Sequence, residues 1–126
     1  MSEKKKIFII EDNKMYAELL CEYLEAQKKY QVKVFESGEA CLRYLYEKPD
    51  FIILDYYLNG RNKDAMNGNE ILDLIKKEHE NVDVIMLSAQ EKYGVAAQSI
   101  AKGAVHYIIK DKDSFKEIQK ILSATK

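Results

Sequence analysis

Four apolar runs in this chain each end on residues able to do chemistry: IFII on Glu11-Asp12, FIIL on Asp55, VIML on Ser88 and VHYII on Lys110. If these runs are parallel strands of one α/β sheet, the four ends converge, because ligands in such sheets bind just outside the carboxyl ends of the strands. The pocket then holds an acidic pair, a lone carboxylate, a hydroxyl and an ammonium. Together they are the parts needed for phosphoryl transfer: carboxylates for a metal ion, a carboxylate nucleophile, and a hydroxyl and a cation to hold the transferred group.

Each residue also has a simpler local reading. Asp12 or Asn13 can cap a first helix, Asp55 can be a strand-end cap, Ser88 a helix cap and Lys110 a solvated lysine. Two adjacent carboxylates resist ionising together unless a cation neutralises them, a need that Mg²⁺ meets with its preference for oxygen ligands. A carboxylate against a doubly buried strand is costly unless it lies at the open end or is paired, which sets Asp55 apart. As a nucleophile it would attack a phosphoryl group in line and become an acyl phosphate. The Ser88 hydroxyl can donate to one phosphoryl oxygen, and the Lys110 ammonium can contact another or pair with Asp55 beforehand.

Short runs rich in Ile, Val, Phe and Leu alternate with amphipathic stretches, the pattern of βαβ units around a mostly parallel sheet covered on both faces. Strands are expected at residues 6–10, 32–35, 51–54, 82–87 and 104–109. The second, shorter and alternating, suits a sheet edge. A first helix is expected over 14–28, with Met15, Leu19, Leu20, Tyr23 and Leu24 at helical spacing. A second starts at a Ser37 cap and runs to about Tyr46, stopped by Pro49; a third covers 69–79, with Ile71, Leu72, Leu74 and Ile75 inward. A fourth spans 93–102 with Gly103 as its C-terminal cap, and Phe115, Ile118, Ile121 and Leu122 define a fifth. Residues 59–68 read as an unusually long strand-to-helix loop.

With 126 residues, we expect one domain over 1–126 and no output domain in this chain. Twenty basic residues against 21 acidic ones leave no global field that favours nucleic acid or an anionic membrane. The basic N-terminus carries too short an apolar run for a signal peptide or a membrane span, so a cytoplasmic location is expected. Cys21 and Cys41 lack metal or redox spacing and read as free thiols. Lys112, Lys116 and Lys120 give the last helix a basic edge, which reads as a solvated face or a surface for an acidic partner.

Taken together, IFIIEDN, PDFIILDYYL, MNGNEIL, VIMLSA and KGAVHYIIK resemble the receiver domain of bacterial two-component response regulators, across essentially the whole chain. The resemblance implies a flavodoxin-like, doubly wound, five-stranded parallel sheet of order 2-1-3-4-5 with five helices. It implies that Asp55 accepts a phosphoryl group from a sensor histidine kinase or phosphotransfer protein, with Mg²⁺ held by Glu11, Asp12, Asp55 and the backbone carbonyl of Tyr57. Ser88 and Lys110 would hold the phosphoryl group. Ser88 and Tyr107 would form a switch that remodels the surface of the fourth helix, fifth strand and fifth helix for a downstream protein, and Tyr57 and Gln90 would tune phosphoryl lifetime. No direct nucleic-acid or membrane binding is implied, and a phosphorylation-dependent dimer is one form the switched state can take. Such a chain is not a turnover enzyme, since it catalyses only its own phosphorylation and dephosphorylation.

The chain departs from the family pattern in three places. Asp111 stands where a proline usually follows the lysine behind a cis peptide, a bond that costs about 3 kcal/mol before any other residue. The loop after Asp55 is longer than usual, and Glu11 replaces a commoner aspartate. An interaction module that signals without phosphate is the alternative reading. A haloacid-dehalogenase-like phosphatase is disfavoured because Tyr57 stands where its second acid belongs, and a flavodoxin because Glu11-Asp12 would repel a flavin phosphate.

Overall fold

The computed structural model describes residues 4–58, 66–89 and 93–124. Five strands, β1 (Lys5–Ile10), β2 (Tyr30–Phe35), β3 (Phe51–Asp55), β4 (Asp83–Ser88) and β5 (His106–Ile109), form one sheet in the order β2-β1-β3-β4-β5. Every neighbouring pair is parallel. The helices are α1 (Lys14–Glu25), α2 (Gly38–Leu42), α3 (Gly68–Glu78), α4 (Tyr93–Ala101) and α5 (Ser114–Ala124). No helix among the described residues is long and apolar enough to cross a membrane.

The unbroken apolar runs follow from this layering. Alternate residues of a strand point to opposite faces, so a strand covered on both faces needs an apolar side chain at every position. Phe8, Ile10, Ile52, Leu54, Val84 and Met86 face one layer, packing with Cys41 of α2 and with Ile71, Leu72 and Ile75 of α3. Ile7, Ile9, Ile53, Ile85, Leu87 and Ile108 face the other, against Leu20 and Leu24 of α1 and Ile118 and Leu122 of α5. Each such side chain withdrawn from water contributes about 2 kcal/mol.

Several expected boundaries and faces differ. The second helix ends at Leu42 and continues as a 3₁₀ turn over Leu45–Glu47. Pro49 bars Lys48 from the right-handed helical region, and Lys48 adopts a φ of 55° instead; the tighter turn carries the chain into that corner. The first helix stops at Glu25 and not Lys28, which has a φ of 62°. On α1, Met15 is 72% and Leu19 50% exposed, whereas Ala17, Leu20 and Leu24 are buried. Met15 and Leu19 also recur at a four-residue interval, so periodicity identified the helix without saying which stripe turns inward. The edge strand β2 is six residues long, and the short edge is β5, with four. Both cysteines are free, and burial first of all raises their thiols, Cys21 to about 11 and Cys41 to about 12. Gly103 follows α4 with a φ of 110°, suited to the absence of a β-carbon.

Gly68 fixes how α3 meets the end of β3. Asn67 and Glu70 form a capping box, and the Gly68 amide donates to the Tyr56 carbonyl at 2.8 Å. A β-carbon at Gly68 would lie 2.6 Å from the Tyr56 α-carbon and 2.8 Å from the Asp55 carbonyl oxygen, both backbone atoms that cannot step aside. Gly68→Ala is therefore expected to lower unfolding free energy by about 3 kcal/mol. A urea titration checks this, and an unchanged midpoint would contradict the close approach.

Candidate functional site

Parallel register brings the strand ends level. Ile10 pairs with Leu54, Asp55 with Leu87, and Ser88 with Ile109. Glu11 and Lys110 therefore follow directly, at the carboxyl ends of their strands. Their backbones continue the ladder: the Glu11 amide donates to the Phe35 carbonyl at 3.0 Å, and the Lys110 amide to the Ser88 carbonyl at 2.8 Å.

Glu11, Asp12 and Asp55 each offer a carboxylate oxygen, and these oxygens lie within 4.8 Å of one another. Glu11 is 1% and Asp55 2% exposed, while Asp12 is half-buried. The N-cap of α1 is Asn13, whose side chain accepts the Tyr16 amide at 3.1 Å. Capping thus makes no demand on Asp12, and its carboxylate joins the cluster. Glu11 Oε1 accepts the Asn13 amide at 3.1 Å. Asp55 Oδ1 accepts the Tyr57 amide at 3.3 Å, so the turn after β3 is tied to the carboxylate it follows.

Lys110 Nζ stands 2.6 Å from Glu11 Oε2 and 3.3 Å from Asp55 Oδ1, joining both buried carboxylates. Even so, Asp55 has a pKa raised to about 7. Burial is the largest cause and the Glu11 charge the next, against the opposing pull of Lys110 and the Tyr57 amide. A buried carboxylate whose ionised form is this unfavourable has a use for a further cation, and the all-oxygen donor set suits a hard divalent one.

Ser88 is buried at the end of β4. Tyr107 is half-buried two positions before Ile109, pairs with Met86, and packs against the same core layer as Met86. Ser88 and Tyr107 therefore share one face of the sheet. The Tyr57 ring meets the Tyr56 ring edge-on at 4.8 Å. Gln90 lies outside the described residues, as does most of the loop after Asp55, 59–65. The peptide between Lys110 and Asp111 is trans. Asp111 uses its side chain to accept the Asp113 amide at 2.9 Å and its carbonyl to accept the Ser114 amide, forming the turn into α5.

Sequence reading missed one neighbour of this cluster. The Tyr16 ring of α1 lies 4.7 Å from Lys110 Nζ, and its hydroxyl is 2.9 Å from the buried Ser114 Oγ of α5. Burial, partly offset by the Ser114 hydrogen bond, pushes the Tyr16 phenol up to about 12, so the hydroxyl stays protonated. The only sequence signal was Tyr16 and Tyr23 a heptad apart on one stripe; Ser114 is 98 residues away.

A cleft of about 510 Å³ at the amino ends of β3 and β4, bordered by Pro49, Asp50, His79 and Val82, contains none of these groups. Position at the carboxyl ends of the strands, and not cavity size, singles out the cluster.

Residues 7–123 match the response regulator receiver domain family. The chain is 35% identical over 119 residues to the transcriptional regulatory protein MalR of Bacillus subtilis, covering 93% of this chain and 48% of that protein. It is 31% identical over 105 residues to the nitrogen assimilation regulatory protein NtrX of Azorhizobium caulinodans, covering 82% of this chain and 22% of that protein. The chain thus spans about half or less of the length of these curated relatives. Among solved structures it is similar to the phosphorylated cyanobacterial phytochrome response regulator RcpA, with a TM-score of 0.82 and 26% identity over 98% of this chain and 97% of that one.

Proposed function

The chain belongs to the family of response regulator receiver domains, the signalling domains of two-component systems, and we propose that it acts as a phosphoacceptor switch with Asp55 as the acceptor. The observation that carries this reading is the buried Asp55 carboxylate at the open end of a central strand, in one oxygen cluster with Glu11 and Asp12 and within reach of the Lys110 ammonium.

In the proposed reaction, a carboxylate oxygen of Asp55 attacks the phosphorus of a phosphohistidine on a sensor histidine kinase or phosphotransfer protein. The P–N bond breaks, its electron pair returns to the imidazole nitrogen, which takes up a proton from water, and Asp55 becomes an acyl phosphate. Glu11, Asp12, Asp55 and the Tyr57 carbonyl would hold Mg²⁺. Bound there, the ion neutralises the repulsion between the carboxylates and the incoming phosphoryl group. Lys110 Nζ and Ser88 Oγ would each hold a phosphoryl oxygen. A shift of Ser88 toward that oxygen would leave room on the shared sheet face for Tyr107, biasing a two-state surface of α4, β5 and α5 toward a downstream protein partner. Tyr57 and Gln90 would set how readily water reaches the acyl phosphate. A cytoplasmic location goes with this reading.

Incubation with Mg²⁺ and acetyl phosphate, followed by intact mass measurement, is expected to give one phosphoryl adduct. The adduct should be lost in Asp55→Asn. No adduct on the parent chain, or one that survives the substitution, would overturn the reading.

A further inference from the structure

The Lys110 ammonium is held from three sides. Glu11 and Asp55 take two, and the face of the Tyr16 ring takes the third, 4.7 Å from Nζ. A ring face carries negative quadrupolar charge, so a partly desolvated ammonium is attracted to it. The ring itself is fixed: its hydroxyl bonds Ser114 Oγ at 2.9 Å, and the Phe115 ring meets it edge-on at 5.3 Å. Phe115 in turn packs against Tyr23, two turns further along the same α1 stripe, at 5.5 Å. Lys110 leaves the sheet through a trans peptide into an Asp111 turn, and the Ser114 that anchors Tyr16 closes that same turn by donating its amide to the Asp111 carbonyl at 3.2 Å. One residue of α1 is therefore connected both to the lysine and to the segment that determines where the lysine starts.

We infer that Tyr16 is a positioning residue that keeps the Lys110 ammonium over Asp55, its ring holding the cation and its hydroxyl holding the ring. The inference rests on Asp55 being the phosphoacceptor. A side chain without a π face at position 16 leaves the ammonium free to swing toward water, and the phosphoryl group then meets a less well placed cation.

The test compares phosphorylation of the full chain by acetyl phosphate, with saturating Mg²⁺, among the parent, Tyr16→Phe, Tyr16→Leu and Tyr16→Met, each alone and with Lys110→Met. Tyr16→Phe keeps the ring and its Phe115 contact but loses the Ser114 hydrogen bond and is expected to slow the maximal rate about 2-fold, whereas Tyr16→Leu and Tyr16→Met, which lose the ring face, are expected to slow it about 10-fold. In the Lys110→Met background, substitution at Tyr16 should change the rate no further, the non-additivity of two residues that act as a unit. A merely structural role predicts the opposite, an equal loss in both backgrounds, and that result would overturn the inference. NMR supplies a second reading that needs no substitution: the Lys110 ε-protons of the parent should be shifted upfield by the ring face and return in Tyr16→Leu. No upfield shift in the parent would also overturn it. A parent that takes no phosphoryl group overturns the function reading and Tyr16's role with it; a parent that reacts while Tyr16→Leu reacts equally fast overturns the Tyr16 inference alone.

Discussion

In metal-free buffer at about pH 8, Lys110→Met is expected to lower unfolding free energy by about 3 kcal/mol or more. The ammonium lies 2.6 Å from Glu11 and 3.3 Å from Asp55, and both carboxylates are almost wholly buried. A methionine fills much of the same space, so packing changes little. What changes is that two buried carboxylates lose the cation between them, and an unpaired buried charge costs far more than the net worth of the pair. Excess Mg²⁺ should restore part of the loss through binding to the folded state, by about 2.7 kcal/mol at a hundredfold excess over its dissociation constant. Urea titrations with and without Mg²⁺ check both parts. A loss below about 1 kcal/mol would place Lys110 among weak, solvent-screened pairs.

Asp55→Asn is expected to move stability the other way. The pKa of Asp55 is raised from 3.8 to about 7 in the folded chain, mainly by burial and then by the Glu11 charge. Between those values the folded state holds a proton that the unfolded state has released, so stability falls as pH rises through that window, and the full cost is present above about pH 7. Asparagine removes the charge and keeps a carbonyl oxygen for Lys110. At about pH 8 without metal the variant should be more stable by about 3 kcal/mol, an advantage that shrinks on acidification and vanishes near pH 4. Denaturation at a series of pH values measures this. A variant less stable than the parent at every pH would mean that pairing with Lys110 outweighs burial. If both results hold, the Lys110 ammonium stabilises the cluster while the Asp55 charge destabilises it, the pattern expected where burial and like charge shift a titrating group of the kind proposed for Asp55.

The strand ends were legible because burial on both faces leaves little choice of residue: FIIL is apolar at each position and Asp55 is the first that is not. The same reasoning located Glu11 and Ser88, whereas Lys110 follows β5, an edge strand in which only Ile108 is buried, and was found as the polar stop of VHYII. Parallel register then brings all of them to the carboxyl ends of the strands. Helix faces were less legible. On α1 the sequence offers two apolar stripes, and only packing against β1 and α5 decides that Leu20 and Leu24 turn inward and Met15 and Leu19 do not. Gly68 looked like a loop glycine, and its need to lie against the backbone of Asp55 and Tyr56 depends on where α3 docks.

The sequence by itself determined the element types, their order and the chemical identity of the four strand ends, since these follow from periodicity and from which residues tolerate burial. Tertiary structure decided how the charges are shared: that Lys110 sits closer to Glu11 than to Asp55, that Asn13 relieves Asp12 of capping, and that the Tyr16 ring faces the ammonium while its hydroxyl reaches Ser114. The physical reason is range. Periodicity is a property of neighbours along the chain, whereas an ion pair or a ring face over a cation depends on ångström-scale distances between segments that only the packed sheet and helices bring together.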